Sequence, residues 1–195
     1  MKKLVLVLFA ALCICGARAQ SDASHLTFMG IPIDGPLNAF VKKLQQKGLS
    51  YKFTNDNIAY LNGTFSAYKD CLIGVVAAKP QDHVCTVGVI FSEQDSWSNL
   101  SSMYFTLKDM LTQKYGKPAN HQETFQAYSQ PNDDQMKMLY VHTDKCKYAT
   151  LFETKNGDIK LYISKADSYG YGCVILLYFD RKNQQEVLQQ AYDDL

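Results

Sequence analysis

Cys85-Thr-Val-Gly-Val-Ile-Phe-Ser92 and Cys173-Val-Ile-Leu-Leu-Tyr-Phe-Asp180 are two apolar runs rich in β-favouring residues, each opened by a cysteine. Each leads through polar residues into a stretch of helical periodicity, so a sheet strand followed by a helix is expected twice. The runs lie 88 residues apart, half of the 176 that follow Ala19. A degenerate tandem repeat, with halves at about residues 20–107 and 108–195, would produce this spacing; so would two unrelated core strands that happen to precede helices.

Outward from the first run, Ser50 to Ser92 is punctuated by Asn55-Asp56-Asn57, Asn62-Gly63 and Lys79-Pro80-Gln81-Asp82, which divide it into about four strands of an antiparallel meander. Before it, Asp34-Gly35-Pro36 opens a helix, with Asp34 as cap and Pro36 in the first turn. Leu37, Phe40, Val41 and Leu44 follow as one apolar stripe, and Gly48 is the stop. After it, Asp95-Ser96 caps a second helix in which Trp97, Leu100, Tyr104, Leu107 and Leu111 share a face, ending at Gly116 and Pro118.

Strands are expected again near Glu123–Tyr128, Met136–His142, Tyr148–Glu153, Asp158–Ser164 and Cys173–Phe179, with Asn156-Gly157 as the strongest hairpin turn. Val187, Leu188, Ala191 and Leu195 mark a C-terminal helix capped by Asp180 or Asn183. The reading is an α+β fold in the order α-β4-α-β5-α, with helices on one face of antiparallel sheet. Two half-sheets or one continuous sheet would both satisfy it.

The chain has 195 residues, 47% hydrophobic, with 20 basic and 19 acidic side chains, the profile of one globular domain able to bury its own core. Lys2 and Lys3, the apolar run Leu4 to Gly16 and Ala17-Arg18-Ala19 form the three parts of a secretory signal, so a mature chain beginning at Gln20 is expected in the periplasm or outside the cell. The apolar run is too short to span a bilayer, for which ~20 residues are needed. Cys13 and Cys15 follow Leu12 and Ile14, not the small residue that bacterial lipidation requires. Loss of the leader moves the net charge from +1 to −2, which leaves no electrostatic footprint for nucleic acid.

Four cysteines stay in the mature chain: Cys71, Cys85, Cys146 and Cys173. An even number in an exported protein favours disulfides, and pairing within each half, Cys71–Cys85 and Cys146–Cys173, is the first choice. A hairpin turning at Pro80-Gln81 argues against the first pair, because it sets Cys71 opposite about Phe91 and Cys85 opposite about Val76. Free buried thiols are the alternative. His83 with Cys85, and His142 with Cys146, lack the spacings of a metal site. No nucleophile elbow, phosphate loop or dinucleotide fingerprint occurs, so no metal, cofactor or catalytic residue is expected. Asp133-Asp134 and Asp193-Asp194 read as solvated pairs.

Tyrosine stands out, at 13 residues, and it gathers around Ala166-Asp-Ser-Tyr-Gly-Tyr-Gly172. Tyr with Ser, Gly and Asp on a loop is the composition of binding surfaces. Asp167, Tyr169 and Tyr171 are therefore the candidate binding residues; Trp97 is a weaker one because its stripe position also suits the core.

Leu26-Thr-Phe-Met-Gly-Ile-Pro-Ile-Asp-Gly-Pro36 and Lys114-Tyr-Gly-Lys-Pro118 resemble small secreted proteins of unknown function from Bacteroides-type bacteria, which implies a compartment and no activity. The element order resembles the tandem-repeat fold of the beta-lactamase inhibitor protein family, whose members bind partners or assist envelope assembly. The function expected is a non-catalytic binding protein, secreted or periplasmic, for a protein, peptide or glycan, with no nucleic acid and no membrane span. An envelope assembly factor and a hydrolase without a recognisable motif are the alternatives.

Overall fold

Leu37, Phe40, Val41 and Leu44 are all buried along one side of α1 (Leu37–Gln46) in the structure, a computed structural model that describes residues 25–78 and 82–193. Gly48, at φ 94°, turns the chain out of the helix region as expected. Asp34 does not cap α1, which has no side-chain cap. It is drawn away by Asn183 Nδ2 at 3.2 Å. Burial works against its charge, but the Gly35 N–H, the Asn183 amide and the imidazoles of His25 and His83 outweigh it and hold the carboxyl below its usual range.

Ser96 Oγ accepts from the Asn99 N–H to start α2 (Trp97–Tyr115), and Trp97, Leu100, Tyr104, Leu107 and Leu111 are its buried stripe. Ahead of α1 lies a pair absent from the sequence reading, β1 (Thr27–Phe28) and β2 (Ile31–Pro32); at two residues each they carry too little periodicity to register.

The first meander is β3 (Ser50–Asn55), β4 (Ile58–Phe65), β5 (Tyr68–Ala78) and β6 (His83–Ile90). The second is β7 (Asn120–Phe125), β8 (Cys146–Thr154), β9 (Gly157–Lys165) and β10 (Gly172–Asp180). They join through β6 and β10 into one eight-stranded antiparallel sheet of order β3-β4-β5-β6-β10-β9-β8-β7. The fold is α+β, with a single continuous sheet. Residues 88 apart in β6 and β10 are not equivalent in it: Val87 and Val89 are buried, whereas Ile175 and Leu177 stand on the opposite face.

Met136–His142, expected as a strand, is helical within α3 (Asp134–His142). Its alternating apolar residues suit either state. The Asp133 cap decides for helix: its Oδ1 accepts from the Met136 N–H at 2.8 Å, and Met138 and Val141 become the buried i, i+3 pair. Asp134 caps a different helix, taking the Trp97 and Ser98 N–H groups of α2 at 2.9 and 3.1 Å. The two carboxylates read as solvated are exposed, and each also caps a helix.

Two glycines are explained by close approach. Gly63 lies inside β4, not at a turn, and a Cβ there would stand 2.7 Å from Leu49 Cδ2. The β8–β9 hairpin turns at Lys155-Asn156, and a Cβ on Gly157 would fall 2.1 Å from the Phe179 carbonyl oxygen. Asp180 Oδ1 accepts from the Asn183 N–H at 3.0 Å and so caps α4 (Arg181–Asp193). The leader at residues 1–19, Lys79, Pro80 and Gln81 of the expected turn, Asp194 and Leu195 lie outside the described residues, as do the side chains of Val187, Leu188 and Ala191. Among the described residues no helix is long and apolar enough to cross a membrane.

Candidate functional site

One face of the sheet is buried under the helices: Leu61, Ile73, Val75, Val89, Leu161 and Val174 are all at most 1% exposed. The register fixes what the other face carries. Its first row across the strands is Asn62, Leu72, Ile90, Ile175, Tyr162 and Ala149. The second is Tyr60, Gly74, Gly88, Leu177, Lys160 and Leu151. The third is Ile58, Val76, Thr86, Phe179, Asp158 and Glu153. Phe53, stacked on Tyr60 at 4.8 Å between ring centroids, extends the second row to the edge.

The centre of this face is apolar and open. Leu72, Ile90 and Phe53 are 36%, 37% and 54% exposed, and the remaining apolar members are half-buried by one another. Rows two residues apart lie ~6.6 Å from one another and strands ~4.8 Å, so the apolar centre spreads over four strands, β4, β5, β6 and β10, and three rows. Charged groups sit at both ends. Asp70, Glu93 and Asp167, with Lys165, line a shallow hollow of about 470 Å³ with Leu72, Ile90 and Ile175 at one end, and Glu153 and Asp158, the latter paired with Arg181 at 2.8 Å, close the third row at the other.

The expected binding residues separate in space. Tyr169 is 84% exposed at the tip of its loop, which closes through Tyr171 N to Ser168 O at 3.1 Å and Ala166 N to Tyr171 O at 3.0 Å. Its ring stands edge-on to His142 at 4.6 Å, beside exposed Leu139 of α3, with His142 Nδ1 buried and without a hydrogen-bond partner. Tyr171 is 38% exposed, and Asp167 belongs to the hollow on the sheet face. Trp97 is a core residue, buried edge-on against Phe125 and Tyr148 at 4.9 and 4.8 Å.

The disulfides expected from cysteine number are not present: all four thiols are free and buried. Leu72 pairs with Ile90 and Val76 with Thr86, so Cys71 and Cys85 are several residues out of register, far beyond the ~7 Å that a bridge spans. Cys146 and Cys173 are separated by β9 and lie on opposite faces. Burial pushes every one of these thiols up, Cys173 to about 11 and Cys146 to about 12, which keeps them protonated and weakly nucleophilic. Among the described residues no three His, Cys, Asp or Glu side chains converge as a metal site. Thiol reagent added to the chain from Gln20 onward, unfolded without reductant, should titrate four thiols, and almost none before unfolding; two or fewer after unfolding would show that bridges form.

Leu72, Ile90, Ile175 and Leu177 were not singled out by the sequence reading. The signal was there: Val174 to Phe179 is apolar without alternation, and in an antiparallel sheet that pattern requires contact on both faces. Set against protein-family models, curated proteins and solved structures, the chain matches none.

Proposed function

We propose that this chain is an exported, non-catalytic binding protein whose ligand is another protein, held on the open face of the sheet. The observation that carries this reading is the apolar centre of that face, uncovered at Leu72 and Ile90. Contiguous exposed apolar surface of this kind marks interaction sites. Breadth across four strands favours a protein surface over a small molecule, and the shortage of hydrogen-bonding side chains at the centre disfavours a glycan. Asp70, Glu93 and Asp167 outnumber Lys165 at one end of the face and fit a partner whose apolar patch is bordered there by Lys or Arg.

The test is capture from the envelope and secreted fractions of the source organism by tagged mature chain, beside an Ile90→Arg variant and a Tyr169→Ala variant. Ile90→Arg should reduce capture at least tenfold with thermal unfolding little changed, since it adds charge to a half-exposed hot spot; Tyr169→Ala should capture normally, and wild-type capture should weaken with salt. Capture indifferent to Ile90→Arg would refute the assignment of the face. Sedimentation of a wild-type dimer that Ile90→Arg dissolves would replace the foreign partner by a second copy.

A further inference from the structure

On the helix-covered side, a cavity of about 410 Å³ opens between α2, the β1–β2 turn and the β4–β5 turn. Its floor is Leu176 and Tyr178 of the central strand β10, both buried. One wall is a stripe of α2 at helical spacing, Leu107, Met110, Leu111 and Lys114. The opposite wall is Met29 and Phe65, with the hydroxyl-bearing residues Thr27, Thr64 and Ser66. Volume and lining match small-molecule sites, which run from roughly 300 to 1,000 Å³ and are apolar with a few placed polar groups.

Two features distinguish this cavity from a packing gap. Among its lining residues Lys114 alone is charged, and no acid accompanies it; its Nζ lies over the Tyr115 ring, 5.0 Å from the centroid. Both turns that frame it are two-residue hairpins with positive φ: Met29 at 51° before Gly30 at 78°, and Ser66 at 47° before Ala67 at 69°. Such turns select Asn-Gly or Asp-Gly, and residues other than Gly, Asn and Asp are disfavoured there. Met29 and Ser66 hold those conformations while lining the cavity.

We propose that this cavity binds a straight-chain aliphatic carboxylate, its chain lying along Leu107, Met110 and Leu111 over Leu176 and its carboxylate at Lys114. From Leu107 to Lys114 the helix advances ~10.5 Å, about the length of an extended eight-carbon chain. An apolar body and an anionic head are what an otherwise uncharged, apolar trough ending in one ammonium selects. The site lies on the opposite side of the sheet from the protein-binding face, so the two are tested independently.

The experiment is calorimetric titration of the mature chain with octanoate, 1-octanol and acetate, repeated on Lys114→Met and Met110→Trp. Both positions are exposed at the cavity mouth, and unchanged melting curves in the absence of ligand verify that the variants fold. Octanoate should bind saturably at one site, at least tenfold more tightly than octanol, and acetate should not bind. Lys114→Met should abolish the preference for octanoate over octanol; Met110→Trp, which fills the trough, should weaken both at least tenfold. Absence of saturable octanoate binding at millimolar concentration, or binding untouched by both substitutions, would overturn the assignment.

Discussion

Asp180→Ala should lower the melting temperature of the chain by roughly 10 °C, the shift that a loss of about 3–5 kcal/mol produces in a domain of this size. The carboxylate is fully buried and is shared three ways. Its Oδ1 accepts from His25 Nδ1 at 3.1 Å and from the Asn183 N–H, while Oδ2 accepts from the Leu26 N–H at 2.7 Å. Asn183 carries the network onward, donating through Nδ2 to the carbonyls of Ile33 and Val84 at 3.0 and 2.8 Å. Alanine leaves three buried donors unpaired and detaches the N-terminal segment, the end of β10 and the first turn of α4 from one another. Asp180→Asn should also be costly, because one of its two polar atoms becomes a donor facing donors. Thermal unfolding followed by circular dichroism decides the matter; a shift under about 2 °C for Asp180→Ala would show that the network is marginal to stability.

Trp97→Ala and Tyr169→Ala should diverge by about 3 kcal/mol or more, although both residues belong to the same sequence-based set of binding candidates. Trp97 is 8% exposed and packed on Phe125 and Tyr148, and removal of a buried aromatic costs about 3–5 kcal/mol in transfer and cavity energy. Tyr169 is 84% exposed, so its loss should stay within about 0.5 kcal/mol. Denaturant unfolding of the two variants measures the difference. Equal midpoints would mean that the Trp97 pocket collapses without penalty or that Tyr169 holds its loop against His142.

The helices α1 and α2 were legible residue by residue because a stripe at i, i+3, i+4 and i+7 is a property of the local chain, and Gly48 and Gly116 end them by a local conformational preference. The strand-rich meanders were legible for the same reason. Met136–His142 was not: seven residues of mixed apolar and polar character satisfy both periods, and the cap that selects helix sits outside the segment at Asp133. The turn expected at Asn62-Gly63 failed because glycine has two uses. There it makes room for Leu49, and the chain reverses at Ser66-Ala67 despite the strain of two positive φ angles.

By itself the amino-acid sequence determined the α+β class, the stripes that α1 and α2 bury and the out-of-register placement of Cys71 and Cys85, all consequences of periodicity and of counting along one hairpin. Tertiary structure alone decided that the two meanders share one sheet, that the cysteines stay unpaired, and that Leu72, Ile90, Ile175 and Tyr162 form one row on the open face while their immediate neighbours are core. It alone brought His25 to Asp180 across 155 positions. Which face of an apolar strand meets a helix, and which strands pair at long range, depend on contacts between segments far apart in the chain, and no local pattern encodes the partner of either.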